Sequence, residues 1–365
     1  MIMTKTPFRV SFFGGGTDMP MYYHEYGGRC ISTAIDKFAY VNTRHLSDYF
    51  DYNNEIVYSK IEQVKNEMDI VHPLVRNTML MLQMHQLRIT YDADLPARTG
   101  LGTSSTFAVG LINAFCALKG KEKTKKELAD YAIFVERVLC KEAGGLQDQI
   151  AASFGDFNLL SFKKDAKAYE EDLSNMSTDE LIDLCKSDKI YYDRHIKRND
   201  YEVQKISISK DRKKELFENL ILCFTGISRN SFEVQSNTQK NLNNKIKELS
   251  RMNELIDEAL DILTTNKDLN EFGKLLNTTW LLKRELAQGI TNTNIDDIYN
   301  KAIESGALGG KLLGAGGGGF LLFYVEKDKQ EFFNKKMSGL TKVPIACDEL
   351  GTELLYNVPE TWQIK

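Results

Sequence analysis

The cysteines of this 365-residue chain form no pairs. The six, at positions 30, 116, 140, 185, 223 and 347, are scattered and include no CxxC, so no redox or zinc signature is present. Cys116 and Cys140 fall in apolar helical patterns, so buried reduced thiols, and with them a cytoplasmic protein, are expected. The five histidines (24, 45, 72, 85 and 195) lack metal-ligand spacing, so no zinc site is assigned. No apolar run approaches the roughly 20 residues of a membrane-crossing helix, and Met1–Arg9 lacks the apolar core of a signal peptide. Neither charge dominates: 47 basic against 51 acidic residues leave a net charge of −4, which gives no reason to expect nucleic acid or membrane as a partner. Repeats and low-complexity segments are absent as well.

Glycine, by contrast, is concentrated. Gly14–Gly16, Gly100 with Gly102, and Gly314 with Gly316–Gly319 hold ten of the 25 glycines. Fixing glycine costs backbone entropy, so such clusters point to positive φ or to close backbone approach, here to a phosphorylated ligand. Strands are predicted over Pro7–Phe13, Ile31–Thr43, Ile56–Ser59, Leu87–Tyr91, Phe157–Phe162, Leu220–Phe224 and Phe320–Val325. Helical spacing marks 74–85, a nearly all-apolar Ser104–Leu118, and 124–140, which opens on the capping box Thr124-x-x-Glu127. Further helical patterns cover 231–263 and 268–288. The charged stretch 163–200 reads as a surface insertion with a short helix opened by Ser177-x-x-Glu180. This irregular order predicts an α+β fold of two lobes split near residue 210: residues 1–210 and 211–365.

The segment Pro96–Ser105 ends where the apolar helix begins. Its glycines, Gly100 and Gly102 around Leu101, let main-chain N–H groups face an anion. The helix N-terminus adds free donors and a positive dipole end, and Thr103, Ser104 and Ser105 offer hydroxyls to a cap or a metal ion. A plain N-cap after a flexible turn would read the same way. A Walker A loop is excluded because Leu312 follows Lys311, and a Rossmann fingerprint because several residues separate Tyr91 from Gly100. Two carboxylates stand out. Glu136 lies about 80° from Leu128 on the helical wheel, at the edge of the buried face, a position open equally to an exposed charge. Asp148 follows the helix-breaking Gly144-Gly145 between Gln147 and Gln149, a position open equally to a local cap. Phosphoryl transfer needs one group to hold Mg²⁺ and another to orient or deprotonate the acceptor hydroxyl.

In order, these segments resemble the three signature motifs of the GHMP kinases: Pro7-Phe8-Arg9-Val10 through Gly14-Gly15-Gly16-Thr17-Asp18, Pro96–Ser105, and Lys311–Gly319. The resemblance spans the chain except for 163–200. It implies an N-terminal lobe like ribosomal protein S5, a C-terminal ferredoxin-like lobe, and ATP with Mg²⁺ as cofactors. It assigns Gly100, Leu101, Gly102, Thr103, Ser104, Ser105, Gly316 and Gly317 to the nucleotide, and Ser104 and Glu136 to Mg²⁺. Asp148 becomes the catalytic carboxylate, with Arg9 beside the transferred phosphate. Gly15, Gly16, Thr17 and Asp18 fall to the substrate. Within the family, Arg9–Asp18, Gln147-Asp148-Gln149 and Trp280-x-x-Lys283 are most similar to the D-glycero-D-manno-heptose 7-phosphate kinases, which implies a sugar phosphate as small-molecule partner. A substrate phosphate also needs cations. Lys283 and Lys311 are the candidates beside family-like segments, with Arg29, Arg98 and Arg284 behind them, each open also to a solvated surface role. Trp280 reads as core or as a sugar platform. A related kinase of a free fucose- or galactose-like sugar is the alternative.

Overall fold

The computed structural model describes the chain except residues 165–172, 174, 188–195, 228–240, 242–243 and 359–365. Its strands are β1 (Ile2–Phe13), β2 (Gly28–His45), β3 (Asn54–Val57), β4 (Ile61–Val64), β5 (Leu87–Ala93), β6 (Phe157–Phe162), β7 (Tyr201–Lys205), β8 (Leu220–Phe224), β9 (Ala307–Leu312), β10 (Phe320–Val325), β11 (Thr341–Val343) and β12 (Glu353–Asn357). Its helices are α1 (Pro20–Tyr26), α2 (Pro73–Met81), α3 (Thr103–Leu118), α4 (Lys125–Ile133), α5 (Gln147–Phe154), α6 (Thr178–Ser187), α7 (Lys210–Glu218), α8 (Ile246–Thr264), α9 (Asn270–Arg284), α10 (Thr293–Glu304) and α11 (Gln330–Lys336).

The first sheet is organised by β2. Its 18 residues pair with β1 along one side, while β5 and β6 share the other side, β6 at Gly28–Thr33 and β5 at Ala39–His45. β3 joins β5 in parallel, and the rest of the sheet is antiparallel. The second sheet has the order β11-β8-β10-β9, wholly antiparallel. Numbered from its own first strand this is 4-1-3-2, with helices after the first and third strands, which is the ferredoxin-like arrangement. Aromatic side chains join the first sheet to α9, which packs on β9 of the second: Phe272 of α9 packs edge-on against Phe12 and Phe13 of β1 at 5.3 and 5.0 Å. One buried cluster therefore runs from Phe8 and Val10 through to Leu313 and Phe320.

Several expectations change. β12 leaves the second half of the chain and pairs with β1, so the C-terminal segment closes the first sheet rather than the second. The charged stretch is more than a surface insertion. Leu173, Leu181, Ile182 and Ile196 are buried in the core that α2 and α3 build, and Arg198 and Asp200 form a buried ion pair. Within the predicted helical stretch 231–263, α8 covers Ile246–Thr264; residues 231–240 and 242–243 lie outside the described residues. The helix predicted over 74–85 stops at Met81, because Gln83 adopts φ +51°. All six cysteines are free thiols, with Cys140, Cys185 and Cys347 only partly buried. No helix among the described residues is long and apolar enough to cross a membrane.

Candidate active site

A cleft of about 970 Å³ opens where the three glycine clusters meet. The second and third interlock backbone to backbone. A Cβ on Gly100 would lie 2.4 Å from the Leu313 carbonyl oxygen, and one on Gly319 2.2 Å from that of Thr99. Phe320 N–H donates to Thr99 O at 3.1 Å across the same seam. Glycine is required there for contact between the lobes as much as for any ligand.

Beyond this seam α3 begins without a cap. Gly102 sits at φ +75°, and no side chain bonds the first-turn N–H groups. The hydroxyls that could have capped the helix turn instead to Glu136: Ser104 Oγ donates to Oε1 at 2.7 Å and Ser105 Oγ to Oε2 at 2.7 Å. Gln149 Nε2 adds a third donor at 2.6 Å. The free donors at the positive end of the helix dipole are thus left facing the cleft, where an anion is stabilised. Glu136 is buried because α4 continues into a π-helical turn, Phe134–Leu139. That widened turn rotates the carboxylate inward from the wheel position expected of a regular helix.

Across the cleft Arg9, 3 % exposed, grips Asp148 with two parallel bonds, Nε to Oδ1 and Nη2 to Oδ2, both 2.8 Å. Its remaining nitrogen, Nη1, donates to Gly100 O at 2.8 Å. One guanidinium therefore fixes the carboxylate and the backbone of the Gly100 loop in a single plane. Asp18 is also buried. It accepts from Gly16 N at 2.9 Å and Gln147 N at 3.2 Å, and burial, then the nearby Asp148 charge, raise its pKa.

The two lysines are deeper than surface charges. Lys311 Nζ donates to Phe12 O at 2.8 Å, and Lys283 Nζ to the carbonyls of Leu312 and Gly314 at 2.9 and 2.5 Å. Burial, with Arg9 as a smaller cause, lowers the Lys311 ammonium to about 7. Burial followed by Lys311 and Arg9 lowers that of Lys283. In the unfolded chain a lysine titrates near ~10.4. Between pH 7 and that value the unfolded state binds the extra proton, so this group's contribution makes stability rise with pH. The stability difference between wild type and Lys311→Met is therefore expected to grow in favour of wild type from pH 7 to 9, by up to about 1 kcal/mol per pH unit. Denaturant midpoints across that range measure it, and a flat difference would mean that Lys311 stays charged.

Models of two family domains match the sequence in order: the N-terminal domain of GHMP kinases over residues 64–156 and the C-terminal domain of GHMP kinases over 252–338. The chain belongs to the GHMP kinase family. It is accordingly a phosphotransferase. The D-glycero-alpha-D-manno-heptose 7-phosphate kinase of Campylobacter jejuni is 27% identical over 341 residues, which cover 90% of this chain and 91% of that one. The bifunctional fucokinase/GDP-fucose pyrophosphorylase of Arabidopsis thaliana is 23% identical over 90% of this chain, which spans 30% of that larger protein. In fold, the crystal structure of a D-glycero-D-manno-heptose 1-phosphate kinase from Bacteroides thetaiotaomicron superposes over the whole of both chains with a TM-score of 0.71 at 22% identity.

Most of the residues named from the GHMP kinase motifs line this one cleft: Arg9, Gly15, Gly16, Asp18, Gly100, Gly102, Thr103, Ser104, Ser105, Glu136, Asp148, Lys283 and Lys311. Four are not among its lining residues. Leu101 is wholly buried in the inter-lobe core. Thr17 Oγ1 ties the first loop to the carbonyls of Gly14 and Arg29 at 2.8 and 2.7 Å. Gly316 and Gly317 pack on the backbone of Ile290, Gly317 N–H donating to its carbonyl at 2.8 Å. Gly314 and Ala315 of the same loop line the cleft. Among the weaker cation candidates, Arg29 is held by Asp257 and Arg284 by Asp296, while Arg98 lines the cleft. Trp280 is fully buried and belongs to the core.

Sequence reasoning missed Gln149 on Glu136, since adjacency to Asp148 says nothing of which side of α5 each residue takes. It also missed Glu142, which lines the cleft and is raised to about 7 by burial and by Glu136. The aromatic end of the cleft went unread too. There His72 meets Tyr58 and Phe107 edge-on at 5.1 and 5.6 Å, and burial holds its imidazole toward the neutral form.

Proposed function

We propose that this GHMP kinase transfers the γ-phosphate of ATP to the anomeric hydroxyl of D-glycero-D-manno-heptose 7-phosphate, giving the 1,7-bisphosphate. The observation that carries the reading is the Arg9–Asp148 fork set against the uncapped start of α3, with Asp18 and the first glycine loop on the acceptor side of the cleft. The acceptor is taken from the Campylobacter relative, which matches along nearly its whole length.

The residues divide the work. The aromatic end around His72, Tyr58 and Phe107 has the shape and polarity for a nucleobase, and the free N–H groups of α3 meet the phosphates. Ser104 Oγ and Glu136 are hard oxygen donors side by side. Two such protein ligands suit Mg²⁺, which keeps waters and phosphate oxygens for its other positions. Among the described residues no cluster of three or more His, Cys, Asp or Glu side chains competes for a cation. When bound, Mg²⁺ neutralises charge on the transferring phosphoryl group. Asp148 has the in-plane side of its carboxylate occupied by Arg9, and its outer lone pairs remain to orient the acceptor hydroxyl or take its proton. Arg9, fixed to the same carboxylate and to Gly100 O, offers fixed positive charge where negative charge develops, without reorganising.

A free fucose- or galactose-like sugar is the second reading. It is favoured by the engagement of Lys283 with two carbonyls and of Arg29 and Arg284 with acidic side chains, which leaves few cations for a substrate phosphate. Coupled ATP-turnover assays over free sugars and sugar 7-phosphates, with ³¹P NMR of the product, separate the two. The highest kcat/KM is expected on the heptose 7-phosphate, with a new phosphate on C1. A maximum on a free sugar overturns the heptose assignment.

A further inference from the structure

Three adjacent glycines begin the acceptor side of the cleft, and only two are explained by the protein itself. A Cβ on Gly14 would stand 2.0 Å from the Arg29 carbonyl oxygen, and Gly16 adopts φ +101°. Gly15 has neither constraint. Its missing Cβ would point into open contact distance, 3.6 Å from Ser11 Oγ and 3.7 Å from Gln147 Nε2. An alanine fits there as far as the protein is concerned, yet the chain keeps the Cα face bare. The two side chains bordering that face are also incompletely satisfied. Ser11 is 6 % exposed and Gln147 9 %, and Ser11 Oγ and Gln147 Oε1 are buried without a hydrogen-bond partner. Burying polar atoms unpaired costs folding free energy, and here Ser11 Oγ and the Gln147 amide, its Nε2 facing Gly15, border one bare backbone position that something else can complete.

We infer that Ser11 and Gln147 are specificity-determining residues that clamp one uncharged hydroxyl of the acceptor over the bare Cα of Gly15. The inference rests on the sugar-kinase reading and adds to it which atoms recognise the polyol. A hydroxyl donates and accepts at once, so it can accept from Gln147 Nε2, the amide atom beside Gly15, while donating to Ser11 Oγ. An anionic group is excluded from this position by Asp18. Its buried carboxylate accepts from Gly16 N, next to Gly15, and from the backbone N of Gln147 itself. Asp18 is thereby a positioning residue for Gln147. A phosphate carried by the acceptor must point away from the clamp.

Gly15→Ala, Ser11→Ala and Gln147→Met test the clamp, with the acceptor that wild type phosphorylates best and its monodeoxy analogues. Gly15→Ala is expected to raise the acceptor KM by about tenfold or more, since a methyl group takes the hydroxyl's place. Ser11→Ala and Gln147→Met are expected to raise it by roughly three- to tenfold each. Mg·ATP affinity should stay at wild-type values in all three, and the melting temperature should not fall in Ser11→Ala or Gln147→Met, which remove unpaired buried polar atoms. At one position of the deoxy series, removing the hydroxyl should cost wild type affinity but cost Ser11→Ala little more, a non-additivity that a structural role would not produce. Wild-type KM in Gly15→Ala, or additive losses at every deoxy position, overturns the clamp. A wild-type protein that phosphorylates no sugar defeats the sugar-kinase reading, and the clamp with it; that result is distinct from an active wild type whose KM the substitutions leave unmoved.

Discussion

Asp148→Asn is expected to lower kcat by about 10²–10⁴-fold, the range over which a positioned acid or base accelerates proton transfer, while Mg·ATP binding persists. The nucleotide-side groups, the uncapped turn of α3 and the Ser104–Glu136 pair, make no bond to Asp148. The substitution leaves an amide that can accept one bond from Arg9 but turns its NH₂ toward the other guanidinium N–H. Arg9 is 3 % exposed, so some folding stability should be lost as well, about 1–3 kcal/mol for a hydrogen bond to a buried charge. Activity therefore has to be measured with a thermal melt of the same sample in the presence of Mg·ATP. Arg9→Lys separates the two roles. It keeps the positive charge but loses the planar fork and the bond to Gly100 O, so kcat should fall even with Asp148 intact. Near-wild-type turnover in folded Asp148→Asn would remove Asp148 from the chemical step.

What the sequence revealed of this site follows from which constraints leave a local trace. Glycine at φ +75° before an apolar helix does, and Pro96–Ser105 was legible for that reason. So was α4, whose capping box closes as expected, Thr124 Oγ1 accepting from Glu127 N at 3.2 Å. Contacts made across the fold leave no such trace. β9 contains Gly309 and Gly310 and was not among the predicted strands. Those glycines belong in a strand because α9 and β10 press on it: a Cβ on Gly309 would meet Gly273 O at 2.1 Å, and one on Gly310 would meet Leu322 O at 2.5 Å. α5 was hidden behind Gly144-Gly145, read as the stop of the preceding helix; that helical run already ends at Leu139, with Lys141 at φ +52°, and Gly145 instead makes room for Asp18 at the start of α5. For the same reason Lys283 and Lys311 could be named but not understood. Their partners are main-chain carbonyls of the inter-lobe seam, 29 and 31 residues away for Lys283 and 299 for Lys311.

Glu136 carries the second large expected effect, and it needs two substitutions to interpret. Its carboxylate receives Ser104, Ser105 and Gln149. Ser104 lies at the exposed start of α3 and can turn to water, whereas Ser105 and Gln149 are buried. Glu136→Ala should therefore orphan two buried polar groups and destabilise the fold by on the order of 2–6 kcal/mol, at about 1–3 kcal/mol for each. Loss of activity in that variant would not isolate the metal. Glu136→Gln keeps the volume and an amide oxygen for Ser105 or Gln149, and removes the charge that a divalent cation needs from its few protein ligands. In Glu136→Gln the Mg²⁺ concentration for half-maximal turnover at saturating ATP is expected to rise at least about tenfold, the scale on which a ligand change moves metal affinity, with a melting temperature well above that of Glu136→Ala. An unchanged Mg²⁺ requirement in a folded Glu136→Gln protein would leave Glu136 as an anchor for the first turn of α3 and would assign the cation to Ser104 and the phosphates alone.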